Sequence, residues 1–440
     1  FDYRRDLSSD SPPLDIVKSD GPLPLGLYWT GEDGSVADDS ALAYSLNVER
    51  VAAGQTTLTM TAAGAGGERI SKRLKLEDGS YVLGYEVEVS APGEGAGWRS
   101  GTSLGTAWTK QVVETSRWGG QEGPAALVEG ELETALADGI EEPELHQGNI
   151  DWGGYADHYF LAAYYPQKAV PLRFSAMAGD GNAEAVLWAD GTDGRLFYNL
   201  FVGPKSLHLL EKLGHGLEEA VDLGWFAVIA RPLLELMLFL YKFTGNYGWS
   251  ILLLTVAIRI VFYPVNKRQA AAMKAMQKVQ PELKKLQAKY KDDRERLNKE
   301  MMELYRRHKV NPLSGCLPML LQLPVFLGLY NALLQAIELR HSPFMGWITD
   351  LSQPDRLGDI AIPFVFPPGI PVMTLLMGAS MVLQQRMTPQ AGDPAQQKMM
   401  MLMPVVFTVM FVNFPSGLVL YWFANNILSV GQQYMTNRKK

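Results

Sequence analysis

The first part of the chain alternates apolar and polar residues with a period of two. From Tyr81 to Val89 the odd positions are apolar and Glu86 and Glu88 lie between them, which is the pattern of a half-buried strand. The run 70–76 precedes it across Glu77-Asp-Gly-Ser80, a hairpin signal. The pattern predicts an antiparallel β-sandwich over residues 1–204. Similar short runs follow at 159–165, 170–178, 184–189 and 195–202.

The second part contains long apolar runs instead of alternating ones. They cover residues 248–265, 313–337, roughly 368–386, and 399–436. A tight turn, Phe414-Pro-Ser-Gly417, divides the last run into two. Segments of this length and apolarity are typical of transmembrane helices. We therefore predict a core of five transmembrane helices within residues 246–440.

A helical period lies between the first two apolar runs, in residues 266–312. Its apolar positions recur every three or four residues on both sides of the polar turn Lys291-Asp-Asp293, which predicts an antiparallel helical hairpin. The basic polar faces are either a solvated surface or a docking surface for an acidic partner, such as ribosomal RNA or a targeting receptor. The candidate docking residues are Lys284, Lys285, Lys289, Arg294 and Arg296.

Two shorter helices are predicted ahead of the core. Residues 205–224 have a weak amphipathic pattern, and we interpret them as a linker helix. In residues 225–245, Arg231, Glu235 and Lys242 form a narrow polar stripe on an otherwise apolar helix. This helix is long enough to span a bilayer, but a sixth crossing would place the hairpin on the side of the β domain. We therefore predict an interfacial helix on the outer membrane face.

Net charge supports this division. The whole chain carries −7, but residues 1–224 hold 16 Lys and Arg against 35 Asp and Glu, and residues 225–440 hold 24 against 12. Positive charges prefer the cytoplasmic side of a membrane. We expect the hairpin, the 387–398 loop and the C-terminus to be cytoplasmic, and the acidic domain to lie outside.

Candidate chemistry is sparse. The only cysteine, Cys316, excludes a disulfide framework, and no nucleotide-binding or protease motif occurs. We predict neither an enzyme nor a cofactor. The chain starts at Phe1 without an apolar leader, so we expect that a signal or anchor segment was removed or never included.

Arg259 lies in the interior of the apolar run 248–265. No Asp, Glu or His lies in any of the five predicted spans. A guanidinium cannot lose its proton at a useful pH, so it needs hydration or a ligand. Two interpretations remain open: Arg259 reaches the cytoplasmic interface, or it lies in a hydrated groove with polar residues such as Thr255, Gln322 and Asn425.

Several strings resemble the YidC family of bacterial membrane protein insertases, over residues 197–438. They include Tyr247-Gly-Trp-Ser-Ile-Leu-Leu-Leu-Thr-Val-Ala-Ile-Arg259, Leu321-Gln-Leu-Pro-Val-Phe326 and Phe414-Pro-Ser-Gly-Leu-Val-Leu-Tyr421. The β domain is similar to the periplasmic domain of the Gram-negative form, which implies a galactose-mutarotase-like sandwich. The resemblance implies a groove containing Arg259, Thr255, Gln322 and an aromatic pair, Tyr421 and Trp422.

The resemblance also implies location and partners. We expect a multi-pass protein of the bacterial inner membrane that inserts nascent membrane proteins, alone or with the Sec translocon. Chains would arrive from the ribosome through the signal recognition particle receptor pathway, and DNA is not an expected partner.

The expected mechanism is that a substrate's polar tail enters the groove while its apolar segment moves into lipid. We therefore expect Arg259→Ala to impair the insertion of substrates with acidic tails most. Two alternatives remain: a transporter or channel with a polar intramembrane site, and a membrane-anchored periplasmic carbohydrate-processing protein.

Overall fold

The computed structural model describes most of the chain, in two compact units divided between Asp222 and Leu223. The described residues are 25–30, 36–64, 67–90, 103–111, 122–135, 140, 143–179, 182–190, 192, 194–290, 293–308, 317–387 and 394–438.

The first unit is built from antiparallel strands. Its strands are β1 (Gly26–Thr30), β2 (Val36–Asp38), β3 (Ser45–Ala52), β4 (Gln55–Ala63), β5 (Arg69–Glu77), β6 (Val82–Ser90), β7 (Leu104–Gln111), β8 (Gly123–Val128), β9 (Glu131–Thr134), β10 (Glu144–Gln147), β11 (Ile150–Ala156), β12 (Phe160–Pro166), β13 (Leu172–Gly179), β14 (Asn182–Ala189) and β15 (Arg195–Pro204).

These strands form two sheets around one core. One sheet has the order β10-β13-β14-β7-β1-β2 and the other β3-β4-β5-β6-β15-β12-β11-β8-β9. The core joins rings from both sheets, such as Phe174 of β13 and Tyr164 of β12. The Tyr164 hydroxyl donates to the Ala107 carbonyl on the opposite sheet at 3.0 Å. Gly153 permits this close packing, because a Cβ there would lie 2.8 Å from the Phe174 ring.

The predicted hairpin before residue 90 is confirmed. β5 pairs antiparallel with β6, and Leu74 lies opposite Tyr85. The odd positions Tyr85, Val87 and Val89 are buried, as alternation requires when one face of a strand packs on a core. The all-β character of this unit follows from many such strands, and a short helix, α1 (Leu207–Leu213), comes after them.

The second unit is helical. Its helices are α2 (Ala227–Thr244), α3 (Tyr247–Val261), α4 (Tyr263–Lys289), α5 (Arg294–Arg307), α6 (Leu317–Gln335), α7 (Val372–Met387), α8 (Pro394–Phe411) and α9 (Ser416–Arg438).

Local signals set the helix ends and packing sets their arrangement. Gly245 ends α2 in the left-handed conformation, with φ 61°, and Asn246 caps α3 by accepting a hydrogen bond from the Trp249 amide at 3.2 Å. α2 packs on α3 and α6, α7 packs on α8 and α9, and α3 packs on α9. Within the described part of the chain, we find no helix with both the length and the apolarity that crossing a bilayer requires.

α4 and α5 pack on each other in the segment where the sequence predicts a hairpin. Their contact buries Met276, Val279, Leu283 and Leu304, which are positions of the predicted apolar pattern, together with Tyr305. Asp293 caps α5 through a hydrogen bond from the Arg296 amide at 3.0 Å. The first helix starts at Tyr263, three residues before the predicted segment, because α3 ends at Val261 and the chain continues almost directly.

Candidate functional site

The guanidinium of Arg259 is held by one turn of the last helix. Its Nε donates to the Asn425 Oδ1 at 3.0 Å and its Nη2 donates to the Asn425 carbonyl oxygen at 2.7 Å. Nη2 also donates to the Ser429 hydroxyl, and this hydroxyl in turn donates to the Asn425 carbonyl at 2.8 Å. The contact of α3 with α9 therefore centres on a cation and neutral acceptors.

The polar residues of α9 share one face because they recur with helical spacing. Tyr421, Trp422, Asn425, Asn426 and Ser429 lie one and three residues apart, which keeps them within one stripe of an α-helix. The Asn426 amide donates to the Ser380 hydroxyl on α7 at 3.0 Å. This stripe thus connects α9 both to α3 and to α7.

A cavity of about 310 Å³ lies beside this stripe. α3, α4, α6, α7 and α9 each contribute to its wall, and the wall mixes amide and hydroxyl groups with aromatic and apolar side chains. Its lining residues are Arg259, Asn266, Gln322, Leu323, Phe326, Met381, Gln384, Tyr421, Trp422, Asn425, Asn426 and Ser429. We call it the Arg259 cavity.

The Arg259 cavity carries a net positive charge. Within the part of the chain that the structure describes, no Asp or Glu lines its wall and no carboxylate forms an ion pair with Arg259. Neutral acceptors satisfy hydrogen bonds but leave the charge of a guanidinium uncompensated. A polar chain that entered this space would therefore meet amides, hydroxyls and a fixed cation.

Five of the six predicted groove residues line the cavity: Arg259, Gln322, Tyr421, Trp422 and Asn425. Thr255 does not. It is fully buried, and its hydroxyl donates to the Ile251 carbonyl one turn earlier on α3 at 2.7 Å. The donor of this hydroxyl therefore has a partner within its own helix, and the assignment of Thr255 to the groove stays a prediction.

The sequence gives little sign of Ser429. A serine within an apolar run costs little free energy, so its presence there does not indicate a functional site as a charged residue does. The available signal was its spacing of four residues from Asn425. Asn413, another polar residue near these spans, lies elsewhere: its amide group accepts from Arg356 Nη2 at 2.9 Å and donates to the Phe364 carbonyl at 3.0 Å.

The hairpin of α4 and α5 presents cations near its turn. Lys285, Lys289 and Arg296 are exposed, and the side chains of Lys284 and Arg294 lie outside the described residues. Lys289 Nζ and the Arg296 guanidinium lie 5.0 and 5.4 Å from the centre of the Tyr290 ring. The ring thus gathers two cations at one end of the hairpin.

Metal chemistry finds no support in the described part of the chain, where no three His, Cys, Asp or Glu side chains lie close enough together to hold an ion.

Both units match known protein families. Residues 239–440 match the family described as 60Kd inner membrane protein, and residues 1–236 match the YidC periplasmic domain family. The chain is 38% identical to the membrane protein insertase YidC of Syntrophus aciditrophicus, covering 99% of this chain and 80% of that protein. It is 48% identical to the insertase YidC of Pelobacter propionicus over 69% of this chain and 57% of that protein.

The chain therefore belongs to the YidC family of membrane protein insertases. The family descriptions place it among inner-membrane proteins that carry a periplasmic domain. Among solved structures, an active YidC insertase with its first transmembrane domain resolved is similar, with a TM-score of 0.45 and 18% identity over 94% of this chain and 88% of that one.

Proposed function

We propose that this protein inserts nascent membrane proteins into the inner membrane, using the Arg259 cavity as a hydrated entry for their polar segments. The observation that carries the proposal is a guanidinium whose partners, among the described residues, are all neutral, in a cavity walled by five helices. A catalytic site would need a nucleophile or an acid and base pair, whereas polar solvation needs the donors and acceptors that line this cavity.

Exposed apolar side chains support a lipid environment for the surrounding helices. On α8, Val405, Val406 and Val409 are all more than half exposed, and α7 exposes Leu375 and Leu376. Exposed apolar surface of this extent marks a membrane or a partner interface. We assign α3, α6, α7, α8 and α9 to the five spans of the core, within residues 246–440.

Charge supports the proposed orientation. The 14 Lys and Arg of residues 266–312 favour a cytoplasmic position for the hairpin of α4 and α5, and Arg438-Lys-Lys440 favours a cytoplasmic C-terminus. The acidic β domain, residues 1–204, is then periplasmic, followed by the linker 205–224. We place α2 along the outer membrane face, where the exposed side chains of Phe243 and of Trp225, two residues before the helix, would meet lipid headgroups.

The mechanism follows from the cost of moving polar groups through hydrocarbon. An unsolvated peptide group costs several kcal/mol in an apolar medium. Amides, hydroxyls and Arg259 replace part of the water that the substrate's tail gives up, and they shorten the dehydrated distance that the tail crosses. Its apolar segment then enters lipid along the exposed faces of the helices, driven by hydrophobic partitioning.

The exposed cations of the hairpin supply a docking surface for acidic partners. Lys285, Lys289 and Arg296 would contact ribosomal RNA or the signal recognition particle receptor while a chain is delivered.

Reconstitution tests the proposal. The purified protein in liposomes should insert a small single-span protein synthesised in a ribosome system, measured as protection of its tail from added protease. Liposomes without the protein should give little protection. Equal protection with and without the protein would contradict the proposed activity.

A further inference from the structure

The segment that leads into α7 exposes apolar side chains. Residues 357–371 contain a single charged residue, Asp359. Several exposed apolar side chains in one short segment mark a contact with a membrane or with a partner. The large apolar side chains that this segment exposes are Leu357, Ile360, Phe364 and Phe366.

Arg356 holds the backbone of this segment in one conformation. Its Nε donates to the Pro367 carbonyl at 2.7 Å, and its Nη2 donates to the Phe366 carbonyl at 2.8 Å. Its Nη1 donates to the carbonyl of Val412, the first residue beyond α8, at 3.1 Å. The apolar side chains are therefore presented by a fixed backbone that is attached to the end of α8. We call residues 355–371 the Arg356 loop.

The most exposed of these side chains has an unfavourable backbone conformation. Phe364 has φ 66°, in the left-handed region that large side chains rarely occupy. Asn413 holds it there, because its Nδ2 donates to the Phe364 carbonyl at 3.0 Å and its Oδ1 accepts from the Phe366 amide at 3.0 Å. The Phe364 side chain is 81% exposed, so little packing offsets this cost. Strained residues of this kind concentrate at functional sites.

A lipid surface fits the Arg356 loop better than a partner protein does. A protein interface carries about one hydrogen bond per 100–200 Å². The side chains of residues 357–371 are aliphatic, aromatic or proline apart from one carboxylate, and hydrocarbon requires no polar partner. The adjoining helices expose apolar side chains as well. These are Val409 and Met410 near the end of α8, and Leu375 and Leu376 in the first turn of α7.

The length of α7 gives a reason for such a contact. This helix has 16 residues. At 1.5 Å per residue it rises about 24 Å, whereas the hydrocarbon core of a bilayer is about 30 Å thick. The Arg356 loop continues directly into the helix at Val372. An apolar loop in this position supplies apolar surface that the helix itself lacks.

We propose that the Arg356 loop inserts its exposed apolar side chains into the outer leaflet, at the boundary between headgroups and hydrocarbon, and so extends the apolar surface of α7. Arg356 and Asn413 are the positioning residues, because they fix the backbone that presents Phe364 and Phe366. The inference rests on the proposed assignment of α7 and α8 to membrane spans. It makes no use of the Arg259 cavity.

Nitroxide spin labels measure the depth of the loop. They are attached at Phe364→Cys, at the exposed polar position Gln353→Cys or at Val409→Cys, each in the full chain with Cys316→Ser. The protein is reconstituted in vesicles of phosphatidylethanolamine and phosphatidylglycerol. Oxygen dissolves in hydrocarbon and a nickel chelate stays in water, so the ratio of their collision rates rises with depth. The ratio at Phe364 should exceed that at Gln353 by at least about threefold and approach that at Val409.

Two results at Phe364 would overturn the inference. A ratio equal to that at Gln353 would place the loop in water, and a label shielded from both reagents would show that protein covers it. Arg356→Gln should lower the ratio at Phe364 by about twofold and leave the ratio at Val409 unchanged, because the loop loses the hydrogen bonds that fix it. An unchanged ratio at Phe364 would contradict the positioning role of Arg356.

Protease protection of an inserted substrate, measured in the same vesicles, separates this inference from the proposed function. Normal protection with the Phe364 label in water would contradict lipid contact alone. Loss of protection with the expected depth ratios would contradict the insertase function alone.

Discussion

The two units bury a cation in opposite ways. In the β unit, Lys72 is 4% exposed and forms an ion pair with Asp39, while its Nζ also donates to the Leu25 carbonyl at 2.5 Å. In the helical unit, Arg259 has amide, carbonyl and hydroxyl partners and no carboxylate among the described residues. A cation paired with a carboxylate is neutralised and acts structurally, whereas a cation held by neutral acceptors keeps its charge for a ligand.

The largest expected effect is on the paired cation. Asp39 also accepts a hydrogen bond from the Leu27 amide at 2.8 Å and another from the Tyr44 hydroxyl at 2.5 Å. Asp39→Asn leaves the Lys72 charge buried without a compensating negative charge, so we expect the β unit to lose about 3–5 kcal/mol of stability. Amide hydrogen exchange of β1 and β5 in the full chain measures this loss.

A double variant sharpens this first prediction. Lys72→Met combined with Asp39→Asn removes both charges, and it should cost less than Asp39→Asn alone. If the double variant is the less stable of the two, the ion pair is not what Asp39 contributes.

The second effect concerns another buried lysine of the β unit. Burial lowers the pKa of Lys205 to about 8, although Asp157, Asp222 and Glu122 oppose the shift. Between pH 8 and 10 the unfolded chain then binds more protons at this position than the folded chain does, so stability rises with pH. Relative to that of Lys205→Met, the free energy of unfolding of the wild type should increase by about 1 kcal/mol per pH unit, up to a total of about 3 kcal/mol.

Chemical denaturation of the β unit within the full chain, at pH 8, 9 and 10, measures this difference. If the free energy of unfolding changes with pH by the same amount in the wild type and in Lys205→Met, Lys205 does not titrate in this range.

The third effect concerns Arg259. Arg259→Gln keeps hydrogen-bonding ability but removes the charge, and we expect insertion to fall about tenfold, because the entering chain no longer receives charge-assisted hydrogen bonds. Insertion by Arg259→Lys should lie between that of the wild type and that of Arg259→Gln, because a lysine keeps the charge but cannot make the planar contacts with Asn425 and Ser429. Protease protection of the inserted tail provides the measurement. If Arg259→Gln inserts substrates as well as the wild type does, the charge of Arg259 does not act on a ligand, and the contrast with the paired Lys72 is wrong.

The smallest effect is on the exposed hairpin. Replacing Lys285, Lys289 and Arg296 with Gln should change the stability of the hairpin by no more than about 0.5 kcal/mol per site, because exposed charges contribute little. Ribosome binding should weaken, and its dependence on salt should become less steep by about one unit for each phosphate that no longer meets a cation. Binding curves at several salt concentrations test this. An unchanged salt dependence would favour a purely solvated surface.

The sequence predicts features that depend on local periodicity. Alternation around Tyr85 predicts the β5–β6 hairpin, and the three and four spacing through Val279 and Leu283 predicts the face that α4 presents to α5. Arg259 stands out because a charge in an apolar run is costly without a compensating environment.

Features that depend on helix rotation and packing could not be predicted. The partners of Arg259 lie 166 and 170 residues away, on a helix whose orientation no local pattern sets. Thr255 lies four residues before Arg259 and so shares its side of α3, yet its hydroxyl bonds back to its own helix. Spacing shows which residues share a face, whereas packing decides which of them reach the cavity.

Crosslinking from the cavity tests the central claim most directly. A photoreactive residue at Gln322, which lines the Arg259 cavity, should crosslink to the polar tail of a small membrane protein during its synthesis. The same residue at Leu402, exposed on α8, should crosslink to lipid or to the apolar segment. Tail crosslinks of equal yield from both positions, or from Leu402 alone, would contradict the proposal that polar segments enter beside Arg259.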